Sequence, residues 1–488
     1  MRRSSLLSIL ATSIALVIPW NAGAQTPATF TATKYAAPGA ARLMAQGDLN
    51  GDGRLDVVTA TVSAPYKISV FLAGAGGSFT ISQEISVPGP TSAVLIEDFN
   101  RNGKADLLFD GHFANGHGDG TFGAYTTGAG GGALATADFN GDGKLDLVYF
   151  GGPSGSSPNP GVYLELGNGD GTFSGFPQKI YTTSDIRTFV ENIVVGDFDG
   201  DGKADVAIAE NNGVPEGFAG AVTKTAVLYG NGAGGFTTRT QDIDGFWRFV
   251  NADVNKDGKS DLVGSFIYGT NSDGVHILYG SASRSMTVAT LPLGSADFNH
   301  FNTAAVADYN GDGRQDIAVG VDSTQGRSIA FFYGAPGGTF SSPVMAPVGG
   351  SYLIRGLFAG DYKRDHKPDV AAYQENGSIV SVVNTSMVGS FPTCFAPGKP
   401  GIAVCSPLGG STVASPVAFN LAASAFSPVR DIQIWVDGKK KTEGFNSYGD
   451  YSFLRSSLAL ASGSHKATIF AVGYDNRLQK TSFTFSVK

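Results

Sequence analysis

Seven times along the chain, a short apolar run follows directly on an acidic, glycine-containing stretch: LDVVTATV, ADLLFDGH, LDLVYFGG, ADVAIAEN, SDLVGSFI, QDIAVGVD and PDVAAYQE. These runs are rich in β-branched residues and show no sustained helical period, so each predicts a strand. A second apolar run follows and ends in a glycine-rich turn, as in ISVFLAGAGGSF, VYLELGNGDGTF, TAVLYGNGAGGF and IAFFYGAPGGTF. A third strand comes after the Phe of that turn, and a fourth leads into the next acidic stretch. Four short strands per unit describe a blade of a β-propeller.

The acidic stretches begin at Asp48, Asp98, Asp138, Asp197, Asp253, Asp308 and Asp361, a mean spacing of about 52 residues. Seven such units fill residues 25–389, which predicts an all-β fold with a seven-bladed β-propeller. The last unit lacks a strand after its second apolar run, whereas TFTATKYAAPG near Thr29 resembles the TFSSPVMAPVG of a later unit. The N-terminal strand is therefore expected to complete the last blade and remove an open edge. Over residues 390–488 the acidic stretches stop. Runs such as SPVAFNLAAS, RDIQIWVDG and HKATIFAVGYD alternate apolar and polar residues between Gly, Ser or Asp turns, which predicts a small β-sandwich. Trp435 in that region is expected to pack in its core, and Trp247 to pack within a blade.

The acidic stretch itself is a nine-residue pattern, Asp-x-Asx-x-Asx-Gly-x-x-Asp, complete in six copies. Positions one, three, five and nine offer side-chain oxygens, and position seven offers its backbone carbonyl. In the first loop these are Asp48, Asn50, Asp52, Asp56 and the carbonyl of Arg54; in the second, Asp98, Asn100, Asn102, Asp106 and that of Lys104. The third has Asp138, Asn140, Asp142, Asp146 and Lys144, and the fourth Asp197, Asp199, Asp201, Asp205 and Lys203. The fifth has Asp253, Asn255, Asp257, Asp261 and Lys259, and the sixth Asp308, Asn310, Asp312, Asp316 and Arg314. All-oxygen donors on a tight loop suit a hard cation of flexible coordination, Ca²⁺ before Mg²⁺, and the absence of His and Cys argues against zinc or copper. Gly at position six permits a positive φ. No helix follows the loops, which excludes EF-hands. The seventh copy, DYKRDHKPD from Asp361, has Lys363 at a ligand position and His366 in place of Gly. It is expected to hold no ion, with the Lys363 ammonium standing in.

These loops and strands resemble the FG-GAP/VCBS repeat family, the calcium-loop propellers related to the integrin α-subunit head. The C-terminal run CSPLGGSTVASPV, followed by IQIWVDG, resembles bacterial Ig-like domains. The first resemblance implies a calcium-stabilised propeller, commonly extracellular, used for adhesion or for binding proteins or glycans. Some relatives of this architecture are polysaccharide lyases, so a carbohydrate-active enzyme is the alternative expectation.

Composition agrees with an exported protein of this kind. The 488 residues carry a net charge of -8 and include 68 Gly and 2 Cys. Arg2 and Arg3, an apolar run from Leu6 to Trp20 and the small residues Ala22-Gly23-Ala24 form a signal peptide over residues 1–24. In an oxidising compartment Cys394 and Cys405, eleven residues apart, are expected to pair. The loops hold half of the 42 acidic residues, and six Ca²⁺ would bring the cleaved chain to about +2. Lys and Arg are outnumbered and form no long basic run, which argues against nucleic acid, and no later stretch is long enough to span a membrane. His112, His117, His276, His300 and His465 are scattered, and no catalytic motif emerges. The turns Ser63–Tyr66, Ser154–Pro160, Asn211–Phe218, Thr270–Asp273 and Asp322–Arg327 vary most in length. They are expected at the end of the ring away from the acidic loops, where a protein or glycan partner would bind.

Overall fold

The computed structural model describes residues 27–488 apart from 37–40, 62, 128–133, 152–159, 184–188, 212–222, 242–245, 267–273, 294–303, 324–325, 350–351, 364, 366, 375, 387–393, 395–399, 426–428, 446–451 and 474–476. Residues 1–24, expected to be a signal peptide, His300, His366 and most of the variable turns thus lie outside the described residues.

The apolar run after each loop is a strand buried on both faces. Asp56–Thr61, Asp106–Phe109 and Asp369–Gln374 are buried along their whole length. A strand with no solvent-facing side reads as continuous apolar sequence, which is why these runs do not alternate. Among the described residues there are seven four-stranded antiparallel sheets, each beginning with the strand that leads into a loop. In the first blade these strands are Ala41–Gly47, Asp56–Thr61, Lys67–Gly74 and Ser78–Ser86. The first strand of every blade touches the first strand of the next, and the seventh touches the first, so the ring is closed.

The cores lie between blades rather than within them. Val58, Ile68 and Val70 of the first blade pack on Leu107 and Phe109 of the second. Val206, Ile208 and Leu228 of the fourth pack on Val148 and Leu164 of the third. Ala318, Ile329 and Phe331 of the sixth pack on Val370 and Val380 of the seventh. Fourth strands such as Gln178–Thr182 and Thr287–Pro292, exposed to half-buried along their length, form the outer edge.

Phe30–Ala36 pairs antiparallel with Ser378–Asn384 and is the fourth strand of the last blade, as its sequence predicts. Phe30 stacks on Phe331 at 4.2 Å between ring centroids, which ties the closing strand to the neighbouring blade.

After the ring, a three-stranded and a five-stranded sheet enclose Phe419, Leu421, Ile432, Ile434, Ile469 and Phe485. Cys394 and Cys405 are bonded, with Cα atoms 5.4 Å apart, at the entry to this sandwich. Trp435 departs from its expected place. Ile432, Ile434 and Val436 occupy the inward positions of Val429–Val436, so period-two alternation sends Gln433 and Trp435 outward. There the indole Nε1 donates to Gln433 Oε1 at 3.0 Å and the ring meets Phe470 edge-on. The Trp247 side chain is outside the described residues. Among the described residues, no helix is long and apolar enough to cross a membrane.

Candidate metal centres

Each acidic loop joins the first and second strands of a blade, and its backbone is folded around its own first carboxylate. In the first loop Gly51 N and Gly53 N donate to Asp48 Oδ1 and Oδ2, both at 2.8 Å. Asp52 N donates to Asn50 Oδ1 at 2.9 Å, and Arg54 N to Asp52 Oδ1 at 2.8 Å. The fourth loop repeats the pattern through Gly200, Gly202, Asp201 and Lys203. These bonds hold the short side chains of positions one, three and five on the inner side of a turn, as Asx turns do.

Two backbone positions make the turn possible. Position six is Gly with φ of 80 to 84° in all six loops. Position four is also left-handed, as Gly51, Gly141, Gly200 and Gly311 but also as Arg101 at 61° and Lys256 at 60°. The positive φ at position six follows from the sequence pattern. The one at position four escaped it, because two long side chains interrupt the glycines.

Position nine is the first residue of the second strand, and Asp56, Asp106, Asp146, Asp205, Asp261 and Asp316 are each fully buried. In five loops its Oδ2 accepts the N–H of position two, for example Phe198 N to Asp205 at 2.9 Å. Its Oδ1 accepts a backbone N–H from the end of the third strand: Ala73, Gly116, Gly167, Gly230, Gly280 and Gly334, at 2.7 to 2.9 Å. Those glycines lie against the loop: a Cβ on Gly116, Gly167 or Gly230 would come within 1.8, 2.0 or 2.2 Å of a loop carbonyl. Position two is itself an anchor, with Leu49, Phe99, Phe139, Phe198, Val254 and Tyr309 all buried between blades. Sequence reasoning passed over both features. Position two varies in identity, and the third-strand glycine reads as one more member of a glycine-rich turn.

The electrostatics favour a cation. Burial first, and neighbouring carboxylates after it, push Asp56 and Asp146 up to about 7 and Asp205, Asp261 and Asp316 up to about 8. Carboxylate oxygens of Asp197, Asp199 and Asp205 lie within 4.8 Å of one another in buried surroundings. Three buried carboxylates that close repel when ionised, and a hard dication offsets that charge. The donor set of carboxylate, amide and carbonyl oxygen fits such an ion.

Basic side chains pair with several of the carboxylates assigned to the cation. Arg54, Lys144, Lys203, Lys259 and Arg314 at position seven turn their side chains to the position-five carboxylates at 2.7 to 3.5 Å. The fourth loop, with carboxylates at all four side-chain positions, receives Arg284 from the fifth blade, whose Nε is 2.8 Å from Asp199 Oδ2. In the second loop, which has Asn at positions three and five, Arg477 of the sandwich comes within 3.4 Å of Asp98. In the seventh, Lys363 Nζ lies 2.8 Å from Asp365 Oδ2 and 3.7 Å from Asp369 Oδ1.

All seven loops sit at one end of the ring, since each joins a first to a second strand. Antiparallel pairing sends the turns between second and third strands to the other end, where Ser63–Tyr66 is described. The histidines stay apart: His276 Nδ1 is 2.9 Å from Thr290 Oγ1, and His465 Nδ1 is 2.7 Å from Asp437 Oδ2.

A closed ring of four-stranded sheets with a carboxylate loop at the same corner of each is a repeat propeller of the integrin α type. Residues 48–109, 138–208, 253–319 and 308–372 match the FG-GAP-like repeat, together just over half of the chain. The chain belongs to that family. Integrin alpha-PS2 of Drosophila melanogaster is 31% identical over 172 residues, a match covering 31% of this chain and 12% of that protein. Among solved structures, the Neurospora crassa Pan2 WD40 domain aligns with 10% identity and a TM-score of 0.46, over 75% of this chain and 99% of that one. Polysaccharide lyase Uly1 aligns with 13% identity and a TM-score of 0.36, over 72% and 91%. Neither score carries an argument about what this chain does.

Proposed function

We propose that the protein is exported through a signal peptide at residues 1–24 and acts outside the cytoplasm as a calcium-built, non-catalytic binding scaffold. In this reading residues 25–389 are a seven-bladed propeller that holds a protein or glycan, and residues 390–488 an Ig-like sandwich that serves as spacer or attachment. The observation that carries it is the buried position-nine aspartate, which links loop, third strand and neighbouring blade and whose carboxyl pKa is pushed up by burial, so that a cation beside it favours the ionised form. Six loops, from Asp48, Asp98, Asp138, Asp197, Asp253 and Asp308, hold one Ca²⁺ each through positions one, three, five and nine and the position-seven carbonyl. Calcium at the millimolar levels found outside cells would then add stability by mass action. The partner face is the opposite end of the ring, where turn length varies, and exported glycans or surface proteins are its natural occupants.

Calorimetric titration of the metal-free mature protein, followed by a glycan array with product analysis, tests this. About six sites and a retained glycan without product are expected. Release of an unsaturated oligosaccharide would overturn the non-catalytic reading, and an absence of calcium binding would overturn the scaffold.

A further inference from the structure

The seventh loop does not fit the ion that the other six fit. Lys363 occupies position three, and its ammonium lies inside the loop, donating to Asp365 Oδ2 at 2.8 Å and lying 3.7 Å from buried Asp369 Oδ1. In the fourth loop the carboxylate oxygens of positions one, three and nine lie within 4.8 Å of one another, and here the ammonium stands at position three among the same set. The rest of the skeleton survives, with Asp365 N donating to Asp361 Oδ1 at 2.9 Å.

The same lysine also reaches out of the loop. Lys363 Nζ donates to the carbonyl of Asn384 at 2.7 Å, and Lys367 Nζ donates to that of Ser386. Both side chains are well covered, at 13% and 9% exposure. Asn384 and Ser386 lie at the end of the third strand of the last blade, where the closing strand takes its register. Thr385 N donates to Thr29 O at 2.7 Å, and Thr29 N to Ser386 Oγ at 3.0 Å.

This seam differs physically from the other six blades. There the fourth strand follows the third within about a dozen residues, as Gln178–Thr182 follows Gly161–Glu165, so its pairing closes only a small loop. Phe30–Ala36 pairs instead with residues some 350 positions away, and closure entropy rises with that separation. The partner end of the seam must therefore be held in place by something other than the chain.

We infer that the Lys363 and Lys367 ammonium groups replace the cation in the seventh loop and clamp residues 384–386 as the docking end for the N-terminal strand. Ring closure is thereby independent of the divalent ion that the other six loops take. The inference rests on the calcium reading for its contrast with those loops, and its test separates the two.

Hydrogen exchange of the Phe30–Ala36 amides is followed in saturating calcium, alongside ion stoichiometry. Lys363→Met should speed exchange there about tenfold or more while blades two to five keep their protection. Should that variant fail to fold, Lys367→Met provides the same readout at the outer edge of the clamp. The double variant Lys363→Asn/His366→Gly restores the full nine-residue pattern. It should bind one ion more than the unaltered protein, with slow exchange at the seam in calcium and fast exchange in chelator. An ion at the Asp361 loop of the unaltered protein, unchanged seam exchange in the lysine variants, or no added ion in the double variant would each overturn the inference. If calcium bound nowhere, the scaffold reading would fall, while seam exchange in Lys363→Met would still decide whether the lysines clamp the closure.

Discussion

Arg101 and Lys256 hold left-handed backbone at a loop position where four other copies use Gly. A non-Gly residue there costs about 1 to 2 kcal/mol, and Gly returns part of that as unfolded-state entropy. Arg101→Gly is therefore expected to raise stability by roughly 0.5 to 1 kcal/mol in urea denaturation with calcium present, and a lower midpoint would contradict the strain argument. His276 provides a second single-residue test. It is 7% exposed, and burial lowers its pKa from 6.5 to about 4. The native state holds the ring neutral while the unfolded chain takes up a proton below about 6.5, so this contribution is present above pH 6.5 and lost as pH falls toward 4. Between pH 6.5 and 4.5, His276→Gln should lose less melting temperature than the unaltered protein, and parallel curves would show that the ring does not titrate this way.

The loops were the most legible elements, because positions one, three, five, six and nine each demand a narrow residue type for a chemical or backbone reason. The closing strand was legible too, since TFTATKYAAPG carries the same Phe and apolar positions as the fourth strand of another blade. Features that depend on what lies across the blade junction were not. Phe198 and Leu49 look unlike one another, yet both fill an interblade core and donate to the last aspartate. Trp435 faces outward against expectation, because an alternating strand does not announce which of its faces is inward until a second sheet covers one. The third-strand glycine belongs to the same class: its requirement is a carbonyl one strand away. Gly230→Ala would put a methyl 2.2 Å from Ala204 O while its N–H holds Asp205. Overpacking of this kind costs about 1 to 3 kcal/mol, and weaker calcium binding in the fourth loop alone should accompany it. Gly51→Ala, which meets nothing within 4 Å, should show only the backbone strain. Ala73 stands at the equivalent place in the first blade, where the strand runs on to pair Gly74 with Ser78. Local register thus decides whether a methyl fits, and equal, negligible effects of the two substitutions would remove the steric argument.

At the scale of the whole ring, six loops place ionisable carboxylates at successive blade junctions, so cation binding, protonation and the packing of blade on blade are linked. Without metal, burial holds the position-nine aspartates near 7 or 8 in five of these loops and about 6 in the second, against 3.8 in the unfolded chain. A carboxyl whose folded pKa is raised contributes stability that is complete below the unfolded value and lost as pH rises through the folded one. The metal-free ring should therefore weaken steadily from about pH 4 to pH 8. If the loops take calcium as proposed, the trend should reverse, because the ion would bind the ionised form and displace the proton, so that its hold tightens as pH rises. The gap between melting temperatures in calcium and in chelator is thus expected to be small at pH 5 and to widen toward pH 8. Scanning calorimetry on both forms across that range measures it directly. A gap that stayed constant with pH would mean that the ions bind where they displace no protons, away from the buried aspartates. A gap that narrowed would mean that calcium binding takes up protons, the opposite of displacement from buried carboxyls.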